Sequence, residues 1–408
     1  VNKLSIPLLI LVASCNVPKA QEYHLQRQEL IDDVIHLLDQ VATNYAYLSE
    51  KDVDMQCLRR IYTLKSQEVH SLESEIGFYE QLLNEFYDSH VHLNTNTQAS
   101  YRLSAPLYVT LKGNTFFITQ YWKSQLKEPV PMELIGAAVL TMNGQPMNSL
   151  IDAFPCHCNN KVNPVVREWI ANKIIAGKYN QRRMLKLRLE NGDIMNLDVD
   201  GLKIRTDEGL LKVSQQSGIG IIRLNNTLGD NQLISALDQA LDTLYNSKGL
   251  VLDLRNTPSG GNTYVARGIL GHFVKLPTPY QMHSRMESYG AGPAIPRTWV
   301  EYVEPRGLFY DRPVTVLVGR WTGSMGEGLA VGFDALDHAT VIGTEMQRLA
   351  GAITTYAFRH RDYGFSLSAE RLFHVNGTPR EYYVPKYMVQ DNIHGDAYMD
   401  KAFELLHP

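Results

Sequence analysis

Apolar residues recur at three- and four-residue intervals in ELIDDVIHLLDQVATNYAYL and again in YEQLLNEFY. That spacing predicts a helical region over residues 22–87, each helix with one stripe facing a core. The polar SEKDVD between them reads as a turn. The period changes at YDSHVHL, where alternation predicts a short strand within 88–98, with His90 and His92 on one side. Over residues 99–211 short strand patterns dominate: FFITQ, AAVLTMNG and IMNLDVDG, with Asn143-Gly144 as a turn and VNPVVREWIANKII as an inserted helix. Beyond Leu211, GIGIIRLN, GLVLDLRN, VTVLVG and ATVIGT read as buried strands, separated by helical patterns in NQLISALDQALDTLYNSK, YVARGILGHF and EGLAVGFDAL. Strands alternating with helices of this length predict a mainly parallel α/β core over 212–408. YQMHSRMESYGAGPAIPRTWVEYVEPRGLFYDRP interrupts the alternation, and its tyrosines, prolines and glycines predict a long loop or irregular excursion.

Composition narrows the picture. The chain has 408 residues, 44% of them hydrophobic, which is enough for two or three cored units. A net charge of -4 and the lack of a basic stripe give no nucleic-acid surface. The opening VNKLSIPLLILVASC carries a lysine, a short apolar run and small residues before Cys15. It is too short for an ordinary membrane span and reads as a secretory signal over 1–15. Val12-Ala13-Ser14-Cys15 resembles a bacterial lipobox, which implies a lipid anchor at Cys15, a bacterial envelope location and a periplasmic or outer-surface domain. The remaining Cys57, Cys156 and Cys158 are odd in number and do not predict a disulfide-built fold. Cys156-His157-Cys158 lacks the second pair that a structural zinc site needs. In the middle region, GAAVLTMNGQPMNSLIDAF resembles part of a PDZ-like domain, a module whose exposed strand edge binds extended peptide by backbone pairing.

Chemistry concentrates at two turns. In GRWTGSMGEGLAVGF, Ser324 lies between a predicted strand and a helix starting near Met325, where free N–H groups and the positive helix end favour an anion. The same spacing fits an ordinary N-cap, with Glu327 completing a capping box. Thr322 also occupies the first-glycine position of the G-x-S-x-G elbow. LDLRNTPSGGN follows a buried strand, and Gly260 and Gly261 permit close backbone approach, so an N–H from this turn could join that of Met325 at an oxyanion. Neither a phosphate loop nor a dinucleotide fingerprint is present. Asp253 and Arg255 read as orienting or structural charges.

Taken together, Asp88-Ser89-His90, the PDZ-like middle, LDLRNTPSGGN, GSMGEG, ATVIGT followed by Gly351, and REYYVP resemble the S41 serine peptidases, the C-terminal-processing and tricorn-core group, in family order. The resemblance implies a ClpP/crotonase-like core behind an N-terminal helical region. It also implies an endopeptidase-like hydrolase acting on peptide or protein substrates, without metal or organic cofactor. Leu349 stands where one branch of the family has its lysine base, and leucine cannot accept a proton. Ser89-His90 matches the tricorn-like branch instead. The implied tetrad is Ser324 as nucleophile, His90 as base, and Ser89 and Glu381 as orienters. Met325, Gly261 and Gly260 are the implied oxyanion elements, with Asp88 as a supporting residue. A catalytically inactive peptide-binding envelope protein of the same fold is the alternative, and homo-oligomerisation is compatible with either.

Overall fold

The computed structural model describes residues 26–130, 134–390 and 395–406. The leader and Cys15 lie outside these described residues.

The core is a six-stranded sheet in the order Tyr387–Met388, Ala339–Gly343, Val314–Val318, Gly249–Asp253, Ile219–Leu224 and Leu211–Gln216. The first five strands run parallel, and the last joins as a hairpin partner. Helices cover both faces, which explains the unbroken apolar runs VTVLV and GLVLD. Leu250, Leu252, Val314, Val316 and Val318 pack with helices Gln232–Leu244, Thr263–Leu270 and Met325–Ala335. Their neighbours Val251, Leu317 and Ile342 face Tyr398, Ala402 and Leu406 of the C-terminal helix Ala397–Leu406. Each buried Val, Leu or Ile among them contributes about 1.5–3 kcal/mol. The architecture is α/β, and its parallel strands end together on one edge, where Asp253, Val318 and Gly343 lead into three adjoining loops.

The middle region forms an antiparallel sheet in the order Leu107–Lys112, Thr115–Tyr121, Ala138–Met142, Met184–Arg188 and Ile194–Asp198. Helix Pro164–Ala176 packs on it, and Asn143 and Gly144 both take positive φ in the turn after the third strand. N-terminal helices Arg27–Asn44, Met55–Lys65 and Leu72–Asn84 bury Leu30, Leu37, Tyr62, Tyr79 and Leu82 against Phe358 and Phe365. His92–Leu93 pairs with strand Gly364–Phe373 of a third sheet.

Two expectations are corrected. The excursion expected to be irregular is a two-stranded ribbon, Thr278–Glu287 with Ile295–Val303, whose first strand also pairs with Arg371–Phe373. Gln281, His283 and Glu301 break its inward face with polar groups between Tyr280 and Val303, so the period-two signal is masked. His283 is held between Glu301 at 3.1 Å and Glu370 at 3.0 Å, and these contacts replace an apolar face. The cysteines also form a disulfide, Cys57–Cys158, across 101 residues, leaving Cys156 free and buried. Sequence spacing could not reveal a pairing that folding alone brings together.

Candidate active site

Ser324 stands at the entrance of helix Met325–Ala335 with φ +50° and ψ −111°, a backbone region that costs a non-glycine residue energy. The neighbouring turn holds it there. The Thr257 carbonyl accepts the N–H groups of Gly260 (3.2 Å) and Gly323 (3.1 Å), while the Thr257 N–H donates to Trp321 O at 3.1 Å. Gly260 has φ +65°, and a Cβ built on it would stand 2.9 Å from both Ser324 Oγ and Met325 N. Any side chain there would sit on the hydroxyl. A Cβ on Gly261 would instead collide with the Leu228 carbonyl, so this glycine is required by a different neighbour. The N–H of Gly260 is committed to Thr257, whereas those of Gly261 and Met325 donate to no described residue.

The capping contact at this helix runs from the carboxylate: Ser324 N–H donates to Glu327 Oε2 at 2.9 Å. Glu327 is fully buried and also accepts from Arg348 N–H at 2.7 Å and Leu349 N–H at 3.3 Å. Burial pushes its carboxyl up to about 6, against the pull of Arg380 and these three N–H groups. One residue further on, the Ala350 carbonyl accepts from His90 Nδ1 at 2.8 Å. A carbonyl only accepts, so Nδ1 carries the proton and the neutral ring keeps its lone pair on Nε2. Burial pushes His90 down to about 4 even though Asp88 pulls it upward. Asp88 fixes the segment: Oδ1 accepts His90 N–H at 2.9 Å, and Oδ2 accepts Tyr45 Oη (2.8 Å) and Ser368 Oγ (3.3 Å).

Ser89 and Glu381 line a cleft of about 520 Å³, together with Asp88, Arg348, Leu349 and Ala350. Ser324 and His90 do not line it; they connect to its wall through residues 348–350. Glu381 lies on a turn docked to the same segment, since Arg380 Nη2 donates to Gly351 O at 2.8 Å and to Leu349 O at 3.2 Å. Burial raises the Glu381 carboxyl, and its Oε2 has no hydrogen-bond partner among the described residues. His92 Nδ1 is likewise buried without a partner. Asp253 and Arg255 stand apart from this chemistry. Arg255 forks onto Asp253 (2.9 Å) and Asp396 (2.8 and 2.9 Å) and lies over the Tyr398 ring, tying the C-terminal helix to the sheet edge.

Sequence reasoning saw Glu327 only as half of an N-cap and missed the Ala350 carbonyl. The N3 position signalled the first, but a backbone acceptor carries no residue signature.

Residues 218–385 match the model of peptidase family S41. Among solved structures, the fold is similar to that of mature CPAF, with a TM-score of 0.60, 13% identity, and coverage of 93% of this chain and 96% of that one. It is also similar to the photosystem II D1 C-terminal processing protease, with a TM-score of 0.54, 14% identity, and coverage of 90% and 94%. Comparison with curated proteins finds no match.

Proposed function

We propose that the chain, whose residues 218–385 match the model of peptidase family S41, is a serine peptidase that hydrolyses extended or unfolded polypeptide through an acyl-enzyme on Ser324. His90 Nε2 takes the Ser324 proton as Oγ attacks the scissile carbonyl, then gives it to the leaving amine. The tetrahedral oxyanion falls between the N–H groups of Met325 and Gly261, each worth roughly 100- to 1,000-fold in turnover. Water then attacks the acyl ester with His90 again as base. Ser89 and Glu381 act as orienting groups from the cleft, and Asp88 positions the segment that carries His90.

The observation that carries this reading is the Ser324 backbone, held at positive φ with its hydroxyl and the Met325 N–H both packed on the Gly260 turn. A serine-directed fluorophosphonate, which reacts with an activated serine hydroxyl, is a suitable covalent probe. Mass spectrometry should place the adduct on Ser324 in the parental chain and find none in Ser324→Ala. His90→Ala should lower peptide hydrolysis by at least about 10⁴-fold. Hydrolysis persisting in His90→Ala would remove His90 as base.

The same proposal places the protein in a bacterial envelope, with residues 1–15 as a lipoprotein signal and Cys15 as the anchor. The composition of the leader supports this, and a Cys57–Cys158 disulfide suits an oxidising compartment. Metabolic palmitate labelling that survives Cys15→Ala would remove the anchor.

A further inference from the structure

His283 points from strand Thr278–Glu287 into a buried polar group that the proposed chemistry does not use. Its Nδ1 lies 3.0 Å from Glu370 Oε2 and its Nε2 3.1 Å from Glu301 Oε2, so the ring joins three neighbouring strands. The Trp299 ring stacks on it at 4.9 Å. Two carboxylates at two ring nitrogens call for a proton on each, which is the imidazolium. A third neighbour calls for the opposite. Gln281 Nε2 stands 3.1 Å from the same His283 Nε2, and an NH₂ group needs a lone pair there. The other end of that carboxamide, Oε1, is buried without a hydrogen-bond partner among the described residues.

Both demands can be met, one at a time. On the charged ring Nε2–H is a donor, and the carboxamide turns over to offer it Oε1. On the neutral ring, with its proton on Nδ1 facing Glu370, the Gln281 NH₂ donates to Nε2. Glu301 is not left bare in that state, because Tyr280 Oη donates to it at 2.7 Å and Arg267 Nε lies 3.3 Å away. The carboxamide thus reads the charge of His283 and presents its opposite end to helix Met325–Ala335. A Cβ on Gly328 would meet Gln281 Oε1 at 3.2 Å and Met325 Sδ at 3.7 Å, so carboxamide, thioether and helix converge on one point. Gly328 N–H is committed to Ser324 O at 3.1 Å. An NH₂ turned to this point meets a weak acceptor, the thioether, whereas an oxygen turned to it meets no free donor.

We propose that His283 is a positioning residue for the oxyanion donor: charged, it seats the Met325 end of the helix through Gln281, and neutral, it unseats it. The coupling stands on this geometry, and its consequence for turnover rests on the peptidase reading. Burial pulls the ring toward its neutral form, but the hydrogen bonds to Glu301 and Glu370 outweigh burial and hold His283 above the ordinary histidine range. The seated form is therefore complete below about pH 6.5 and is lost as pH rises through the raised value. The charges around the ring are Glu301 with Arg267 behind it, Glu370, Arg285 on the same strand, Arg297 over Trp299, and Arg380 near Tyr280.

The test reads Met325 directly. The full chain is labelled with ¹⁵N-methionine, and the Met325 amide is assigned by its loss in Met325→Leu. Its shift should titrate with a midpoint above about pH 6.5. Across the same midpoint kcat for dye-labelled casein should fall about tenfold with KM nearly constant. Glu370→Gln, at a partly exposed carboxylate, should move the amide midpoint and the kcat limb down together. Gln281→Leu should flatten both. An amide that does not titrate above about pH 6.5, or whose midpoint ignores Glu370→Gln, would overturn the coupling. The same titration surviving in a folded Gln281→Leu would overturn the route through the carboxamide. A titrating amide with a flat kcat would overturn the positioning role. Titration as expected in a chain that neither cuts casein nor takes a fluorophosphonate on Ser324 would sink the peptidase reading and leave the coupling standing.

Discussion

Glu327 and Glu168 both accept backbone N–H groups from neighbouring segments, and their surroundings separate them. Glu327 is fully buried behind the helix entrance and takes three N–H groups, from Ser324, Arg348 and Leu349. Glu168 sits on a cleft wall and takes one, from Leu111. Water cannot replace the first carboxylate, so its loss strands buried donors at about 1–3 kcal/mol each. Water can replace the second. A carboxylate on backbone is a rivet in one place and a removable clip in the other, and access to solvent decides which.

Removing the rivet should have the largest effect. Glu327→Gln keeps one acceptor oxygen but turns an amide NH₂ toward at least one of the three N–H donors. The segment carrying Ala350 should shift, and His90 with it. A displacement of about 1 Å is enough for roughly 100-fold in turnover. We expect kcat for peptide hydrolysis to fall by about that factor with KM nearly unchanged. If Glu168→Gln cost as much, the distinction between the two carboxylates would collapse.

The pH profile sharpens the same point. Glu327 is pushed up to about 6 and His90 down to about 4, and both are needed deprotonated. Activity is therefore lost as pH falls, and the group with the higher pKa sets the acid limb. The parental kcat/KM should decline below about pH 6, and in Glu327→Gln the limb should move toward about 4. A limb near 6.5 in both, as for a solvated histidine, would contradict a buried neutral base.

How much of this was legible depended on whether a residue's role is carried by its own side chain. The parallel core could be read because VTVLVG and GLVLDLRN are apolar throughout, as strands covered on both faces must be. Ser324 and Gly260 could be singled out because a helix entrance and a turn have sequence signs. The ribbon 278–303 could not, because His283 is held between the carboxylates of Glu301 and Glu370 where an apolar side chain would have marked the strand. The tie from His90 to Ala350 was illegible for another reason: a carbonyl 260 residues away is the same in every amino acid. Nothing in PVVREWIANKII marks Asn172 as a partner of strand backbone until the strand it bonds is placed beside it.

A third carboxylate gives the smallest expected effect on turnover. Glu85 is fully buried and accepts the N–H groups of His157, Cys158 and Asn159 at 2.6, 3.0 and 3.1 Å, with Tyr62 Oη at 3.0 Å. The loop it holds is also tied by the Cys57–Cys158 disulfide. If buried carboxylates rivet backbone by themselves, the covalent tie is redundant for local geometry and acts mainly on the unfolded chain. Cutting it in Cys57→Ser should then lower stability by about 2–5 kcal/mol, seen as an earlier denaturant midpoint, because a long loop regains its freedom when unfolded. Under native conditions kcat/KM should stay within about twofold of the parent. Glu85→Gln with the disulfide intact should do more to the loop, exposing the amides of residues 157–159 to hydrogen exchange that Cys57→Ser leaves protected. The reverse ranking would mean that the sulfur bridge, not the buried carboxylate, sets the position of that loop.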